Sequence, residues 1–233
     1  MLELSLILPV HNEGDSILDT IHEIDSQLKR NGIKYEIICV ENGSTDDSYR
    51  CLIEAQQKIS HLKVYQSEKG WGLAVRKGIR KARGIFTCYM VSDGQVHPKY
   101  ITDLLTEIKN YPNDLVKIAR YTRENRTRFF VSYIYNALIR FLLGLKVSDV
   151  NGTPKLIKSN LINKIVFHSP NIAFDLELLL NLKNQGIRWR EFSVKSVQRR
   201  SGKSSTKIAT ALEMTSSIIR FWLAEKLVKT DNR

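Results

Sequence analysis

Cysteine is scarce in this sequence. Cys39, Cys51 and Cys88 are an odd number, two of them within strand or helix patterns. That excludes a disulfide framework and implies reduced core side chains in a cytosolic environment. No His and Cys cluster carries zinc-ligand spacing, so His97 in its His-Pro step reads as positional rather than as a ligand. The N-terminus lacks a basic lead and a small-residue cleavage site, and the apolar run from Leu4 to Val10 leads directly into His11-Asn12-Glu13. It reads as a strand, not a signal peptide. There is no internal repeat, low-complexity segment or clear linker. Long apolar runs are also missing: residues 129–145 are the most apolar stretch but contain Arg140, and they fall short of the roughly 20 residues of a membrane span. The run from Ile208 to Val228 contains Glu213, Arg220 and Glu225, so it is amphipathic rather than spanning. Each of these two helices either covers the core or lies in a membrane interface.

Acidic residues are thin in the second half. From Lys117 onward there are 22 Lys and Arg against 8 Asp and Glu, leaving 14 against 16 before it, within a net charge of +12. The asymmetry points to an anionic partner for the second half. A nucleic acid, an anionic lipid surface and a phosphorylated substrate share that chemistry, and nothing here resembles a nucleic-acid-binding motif. With 42% hydrophobic and 26% charged residues, the 233-residue chain is globular and long enough to bury a substantial core.

Within that length the pattern alternates. Leu4 to Val10 is a near-continuous apolar strand of the kind covered on both faces, and Asn12 to Ser16 starts a helix with Ile17, Ile21, Ile24 and Leu28 on one face. Tyr35 to Val40 is a second strand, followed by a polar turn in which Ser44 or Thr45 can cap the next helix. His61 to Tyr65 is a third strand, and Gly70-Trp71-Gly72-Leu73-Ala74 opens a third helix that ends at Gly84. Ile85 to Met90 is the fourth strand. Pro98 to Lys109 reads as a further helix and Asp114 to Ala119 as a further strand. Such alternation implies an α/β fold, a mostly parallel sheet flanked by helices, which is a nucleotide-binding architecture.

The chemistry centres on the end of the fourth strand, where Ser92-Asp93-Gly94-Gln95 delivers one carboxylate to a loop. In extended backbone Asp93 and Gln95 leave on the same face. A carboxylate and an amide oxygen suit a hard divalent cation holding a diphosphate, whereas a plain polar turn needs no ligand.

Four stretches in order then resemble the inverting family 2 glycosyltransferases: Pro9-Val10-His11-Asn12-Glu13, Glu41-Asn42-Gly43-Ser44-Thr45-Asp46, Gly70-Trp71-Gly72-Leu73-Ala74 and Val91-Ser92-Asp93-Gly94-Gln95. The resemblance implies the GT-A nucleotide-sugar fold as a single domain over residues 1–233, with a nucleotide-sugar-binding half at 1–116, an acceptor half at 117–207 and a C-terminal amphipathic helix at 208–233. Two positions depart from the family pattern. Glu41-Asn42 stands where Asp-Asp is usual, and Val91 replaces the first Asp of Asp-x-Asp. In the second half Ser148 to Lys155, Phe174 to Leu178 and Arg199 to Ser205 are similar to the polyprenyl-phosphate sugar transferases of the dolichol-phosphate mannosyltransferase type, with Ser205 where Lys is usual.

This resemblance implies donor contacts from Pro9, Asn12, Glu13, Glu41, Asn42, Gly70 and Asp93. It implies a Mg2+ or Mn2+ ion on Asp93 and Gln95, and acceptor contacts from Arg120, Asp149, Asp175, Glu177, Arg199, Arg200 and Lys203. The catalytic set would be Asp93, Arg120, Arg200 and Lys203. The implied reaction is inverting transfer of a sugar from a UDP- or GDP-sugar to a polyprenyl phosphate, by an enzyme peripheral on the cytoplasmic face of a membrane, with or without a separate membrane subunit. An alcohol acceptor must lose a proton to a general base, but a phosphate monoester, with a second pKa of about 6, is already a nucleophile at neutral pH. Arg and Lys rather than a poised carboxylate are then expected around the acceptor, with Arg123, Arg126 and Arg128 either facing lipid headgroups or sitting in a solvated loop. Asp175 and Glu177 orient the acceptor or serve as base, or else cap and solvate a helix start. His11 either stacks near the base or is structural. Transfer to a glycan hydroxyl and a degenerate, non-catalytic nucleotide-sugar-binding protein are the alternatives.

Overall fold

The computed structural model describes residues 1–121, 126–195 and 208–231. Its strands are β1 (Leu4–Val10), β2 (Tyr35–Glu41), β3 (Leu62–Gln66), β4 (Phe86–Tyr89), β5 (Leu115–Arg120), β6 (Lys155–Lys158) and β7 (Trp189–Val194). The helices are α1 (Ile17–Arg30), α2 (Ser48–Lys58), α3 (Trp71–Lys81), α4 (Lys99–Asn110), α5 (Arg126–Leu143), α6 (Ser159–Ile162), α7 (Ala173–Asn184) and α8 (Ile208–Asp231). One seven-stranded sheet runs β3-β2-β1-β4-β6-β5-β7. Only β6 lies antiparallel to its neighbours.

Every residue of β1 and β2 is buried, as the unbroken apolar runs require of strands covered on both faces. The pleat splits them between two cores. Leu4, Leu6, Leu8, Ile37 and Cys39 face the layer holding α1, α2 and α4, while Ile7, Ile38 and Val40 face the layer holding α3, α5 and α7. Helix α3 comes very close to the sheet because residue 78 is glycine: a Cβ there would lie 2.3 Å from the Ile7 side chain. The one polar side chain inside β1, Ser5, donates to Glu36 at 2.6 Å and accepts from the Gly84 N–H at 2.8 Å. A buried hydroxyl so satisfied costs little.

Three local expectations need correction. Helix α1 begins at Ile17, not at Asn12, because Asn12 adopts φ 55° and residues 14–16 form a turn. Neither Ser44 nor Thr45 caps α2, whose N-cap is Asp47; both are drawn instead into bonds with the loop after β1. Strands β6 and β7 were missed, since β6 is four residues bounded by lysines and β7 is largely half-buried.

Both apolar helices contribute side chains to the core. On α5, Tyr135, Ile139 and Leu143 are buried in the core, and Met214 and Ile218 of α8 join them. The outer side of α5 leaves Phe130, Tyr133 and Phe141 exposed, Phe141 by 85%. Among the described residues, no helix is long and apolar enough to cross a membrane.

Candidate active site

Parallel strands deliver their C-terminal ends to one rim, and the order reverses between β1 and β4, where open α/β sheets form their crevice. The loop after β1 and the loop after β2 are laced together there. The Asn12 N–H donates to Ser44 Oγ at 3.1 Å, and the Asn12 side-chain oxygen accepts the Thr45 N–H at 2.8 Å. The Glu13 N–H donates to Ser48 Oγ at 2.8 Å and the Gly14 N–H to Asp46 at 3.0 Å. Burial acts to raise the Asp46 pKa, but bonds from the Ser48 hydroxyl and from the N–H groups of Gly14 and Ser48 outweigh it and hold the carboxyl below its usual value.

Glu41 and Asn42 are buried and committed within the protein. Glu41 accepts the Ser44 N–H and the Gln66 side-chain amide. The Asn42 side-chain oxygen accepts the Gly70 N–H at 2.6 Å, and its own N–H donates to Val10 O. His11 is half-buried with Nδ1 3.0 Å from Asn42 O, a structural setting. Pro9 belongs to β1, and its carbonyl accepts the Ser92 hydroxyl at 2.9 Å, which ties the end of β4 to the end of β1. The predicted donor residues Pro9, Asn12, Glu13, Glu41, Asn42 and Gly70 thus share one rim with Asp93.

Asp93 is 2% exposed and its Oδ1 accepts the Gln95 N–H at 3.1 Å. The extended geometry expected for Asp93 and Gln95 does not hold. Strand β4 ends at Tyr89, and the chain turns at Gly94, which has φ 69°. His97 accepts the Lys99 N–H at the start of α4, a positional role. No group of three or more His, Cys, Asp or Glu that could hold a metal occurs among the described residues.

Beyond β4 the rim changes character. Arg120 at the end of β5 grips Asp149 through Nε at 2.8 Å and Nη2 at 3.3 Å, and also donates to Asn151 O. Gly152 permits this turn, because a Cβ there would lie 2.2 Å from Ile118 O. Lys117 is fully buried and donates to Ile118 O, Asp149 O and Glu191 at 2.8, 2.6 and 2.9 Å. At the start of β6, buried Lys155 pairs with Asp175 of α7, which also accepts the Tyr89 hydroxyl at 2.8 Å and the Trp71 indole N–H at 3.1 Å. Burial pushes the Lys155 ammonium down to about 8, against the pull of Asp175, and pushes the Tyr89 phenol up. Glu177 accepts the N–H groups of His168 and Ser169, both at 2.8 Å.

Asp175 and Glu177 therefore do not solvate a helix start. They are 2% and 4% exposed and hold other parts of the protein. Lys117, Glu191, Tyr89 and Trp71 were missed, although a lysine between Val116 and Ile118 in an apolar strand signals a buried ion pair. Arg123, Arg199, Arg200 and Lys203 lie outside the described residues, as do the side chains of Arg126 and Arg128.

A seven-stranded, mostly parallel sheet with its polar rim at the β1/β4 reversal defines the GT-A class of fold. The chain matches the glycosyl transferase family 2 model over residues 5–166, and it belongs to that family. Among curated relatives it is 27% identical over 172 residues to the dodecaprenyl-phosphate galacturonate synthase of Rhizobium johnstonii, covering 70% of this chain and 50% of that one. It is 26% identical over 220 residues to the undecaprenyl-phosphate 4-deoxy-4-formamido-L-arabinose transferase of Edwardsiella ictaluri, covering 93% and 66%. The chain thus spans between half and two thirds of these relatives' lengths. Among solved structures it superposes on glucosyl-3-phosphoglycerate synthase from Mycobacterium tuberculosis, in complex with Mn2+, UDP-glucose and phosphoglyceric acid, with TM-score 0.73 and 19% identity over 95% of this chain and 80% of that one. Mannosyl-3-phosphoglycerate synthase from Rubrobacter xylanophilus gives TM-score 0.74 at 19% identity, over 100% and 76%.

Proposed function

We propose that this chain transfers a sugar, with inversion, from a UDP- or GDP-sugar held on the β1/β2/β4 rim to a polyprenyl phosphate presented at a membrane surface. The observation that carries the acceptor is the commitment of both candidate bases. Asp175 is locked to Lys155, Tyr89 and Trp71, and both oxygens of Glu177 hold backbone N–H groups. A hydroxyl acceptor would need such a base. A phosphate dianion needs only positioning, by Arg120 on its Asp149 support together with Arg199, Arg200 and Lys203. The similarity to a dodecaprenyl-phosphate galacturonate synthase and to an undecaprenyl-phosphate 4-deoxy-4-formamido-L-arabinose transferase supports this acceptor.

Asp93 and Gln95 would hold a Mg2+ or Mn2+ ion. The fit is chemical: one buried carboxylate, already steadied by the Gln95 N–H, plus one amide oxygen is a hard, sparse donor set, and Mg2+ is commonly held by one or two carboxylates with substrate phosphates completing its shell. Such an ion neutralises charge on a departing nucleoside diphosphate. Asn12, Glu13 and the loop fixed by Glu41 and Asn42 face the nucleoside. The exposed aromatic side of α5, with the exposed Arg140, lies against lipid, where apolar burial and attraction to anionic headgroups add together.

The test is radiolabelled sugar transfer from a panel of UDP- and GDP-sugars into organic-extractable polyprenyl phosphate, with Mg2+ or Mn2+ and with chelator, beside Asp93→Ala. Metal-dependent lipid label that the substitution abolishes is the expected result. Donor binding without lipid label would turn the assignment to a glycan hydroxyl or to a binding protein in which Val91 marks lost activity.

A further inference from the structure

Glu177 lies in the half of the chain expected to bind acceptor, yet every bond it is seen to make through its carboxylate leads toward the donor side. Its oxygens hold the N–H groups of His168 and Ser169, each at 2.8 Å. That short segment is also gripped from two other helices. Arg76 of α3 donates to Phe167 O at 2.7 Å, and Arg220 of α8 donates to Ser169 Oγ at 3.2 Å. The segment then lies directly on the first turn of α3. Pro170 O accepts the Leu73 N–H at 2.9 Å, standing where a capping side chain would be. The fit is close enough to require glycine: a Cβ on Gly72 would come within 2.3 Å of Ser169 O, and one on Gly70 within 2.6 Å of Pro170 O.

The first turn of α3 in turn holds the loop after β2. The Gly70 N–H donates to the Asn42 side-chain oxygen at 2.6 Å, and Asn42 is bonded through its backbone to Val10 O and to His11. A continuous path of hydrogen bonds and backbone packing thus runs from Glu177 through residues 168–170 and Gly70 to Asn42, with no step at the Arg120–Asp149 side of the rim.

We infer that Glu177 is a positioning residue for the nucleotide-sugar side: it clasps residues 167–170 against the first turn of α3 and thereby fixes Asn42 and the loop after β2. This rests on the reading that the β1/β2/β4 rim holds the donor. Removing one charged acceptor leaves a buried N–H without its partner, and the segment it held is free to lift from Gly70. The consequence is felt as donor affinity, not as loss of a base or of acceptor binding.

The test uses the full chain with Glu177→Gln and, from the opposite side of the clasp, Arg76→Ala. Binding of UDP and GDP with Mg2+ is measured by calorimetry, and KM for donor and for polyprenyl phosphate are measured separately. Glu177→Gln is expected to weaken nucleoside diphosphate binding and raise donor KM about tenfold, with acceptor KM within about twofold and the shape of the pH–rate profile unchanged. Arg76→Ala, which keeps Glu177 itself, is expected to shift the same two quantities in the same direction. It also preserves the test if the Gln variant does not fold. A raised acceptor KM with unchanged nucleotide binding would overturn the inference, as would a lost basic limb in the pH–rate profile. Wild-type binding of UDP or GDP with neither variant affecting it would overturn the clasp alone. A wild-type chain that binds neither nucleotide would overturn the donor-rim reading, and the clasp with it.

Discussion

The two sides of the rim are built from different interactions. On the side proposed to hold the donor, the loops after β1, β2 and β4 are joined by short polar side chains bonded to backbone N–H and C=O groups, as in Asn12–Thr45, Asn42–Gly70 and Ser92–Pro9. On the side proposed to hold the acceptor, full charges are paired under cover: Lys117 with Glu191, Arg120 with Asp149 and Lys155 with Asp175. The first kind of joint is modest per bond, around 1 kcal/mol, and tolerates small adjustment as a ligand enters. The second is rigid and fails severely when one partner is lost, because a buried charge is left uncompensated. We read the donor side as a set of adjustable loops and the acceptor side as a fixed frame that keeps arginine and lysine charges in place for an anion.

That contrast is most directly broken at Asp175. Asp175→Ala strands the Lys155 ammonium in the core and is expected to cost roughly 3–5 kcal/mol in unfolding by denaturant. A loss below about 1 kcal/mol would show the pair to be dispensable. Lys117→Met, which leaves Glu191 part-exposed and able to recruit water, is expected to cost less, about 2–3 kcal/mol, and to raise acceptor KM through the Asp149 loop. Asn42→Ala on the donor side is expected to cost only about 1–2 kcal/mol of stability while weakening UDP or GDP binding. Equal losses for Asn42→Ala and Asp175→Ala in one urea series would erase the distinction.

The smallest effect concerns acid. Because the folded-state pKa of Asp46 is lowered, its stabilisation is fully present above the ordinary value of 3.8 and is lost as pH falls through the folded pKa. Asp46→Asn should therefore be less stable than wild type near neutrality, and the gap should close as the pH drops below that range. A gap that stays constant with pH would remove Asp46 from the linkage.

Legibility in the sequence follows the same divide. Strands β1 to β4 and the rim residues Asn12, Glu13, Glu41, Asn42 and Asp93 lie in contiguous motifs at strand ends, where local pattern and backbone periodicity carry the information. The acceptor frame joins residues far apart in the chain: 29 positions from Arg120 to Asp149, 74 from Lys117 to Glu191 and 104 from Trp71 to Asp175. No local periodicity reports such pairings, and short β6 offers no strand signal of its own. Resemblance singled out Asp175 and Glu177, but only the packing shows that they are buried and internally bonded. The geometry at Asp93 was misjudged for a local reason, since a left-handed glycine between two polar residues breaks the extended alternation.

The central claim is that the acceptor is a phosphate and needs no base. The most direct measurement is competition between a polyprenyl phosphate and the polyprenol of the same chain length, in one detergent or vesicle preparation, with a labelled donor and Mg2+. The account predicts label on the phosphate alone, with a rate that falls as pH drops through about 6, where the phosphate takes up its second proton. Equal or preferred labelling of the free alcohol would contradict it.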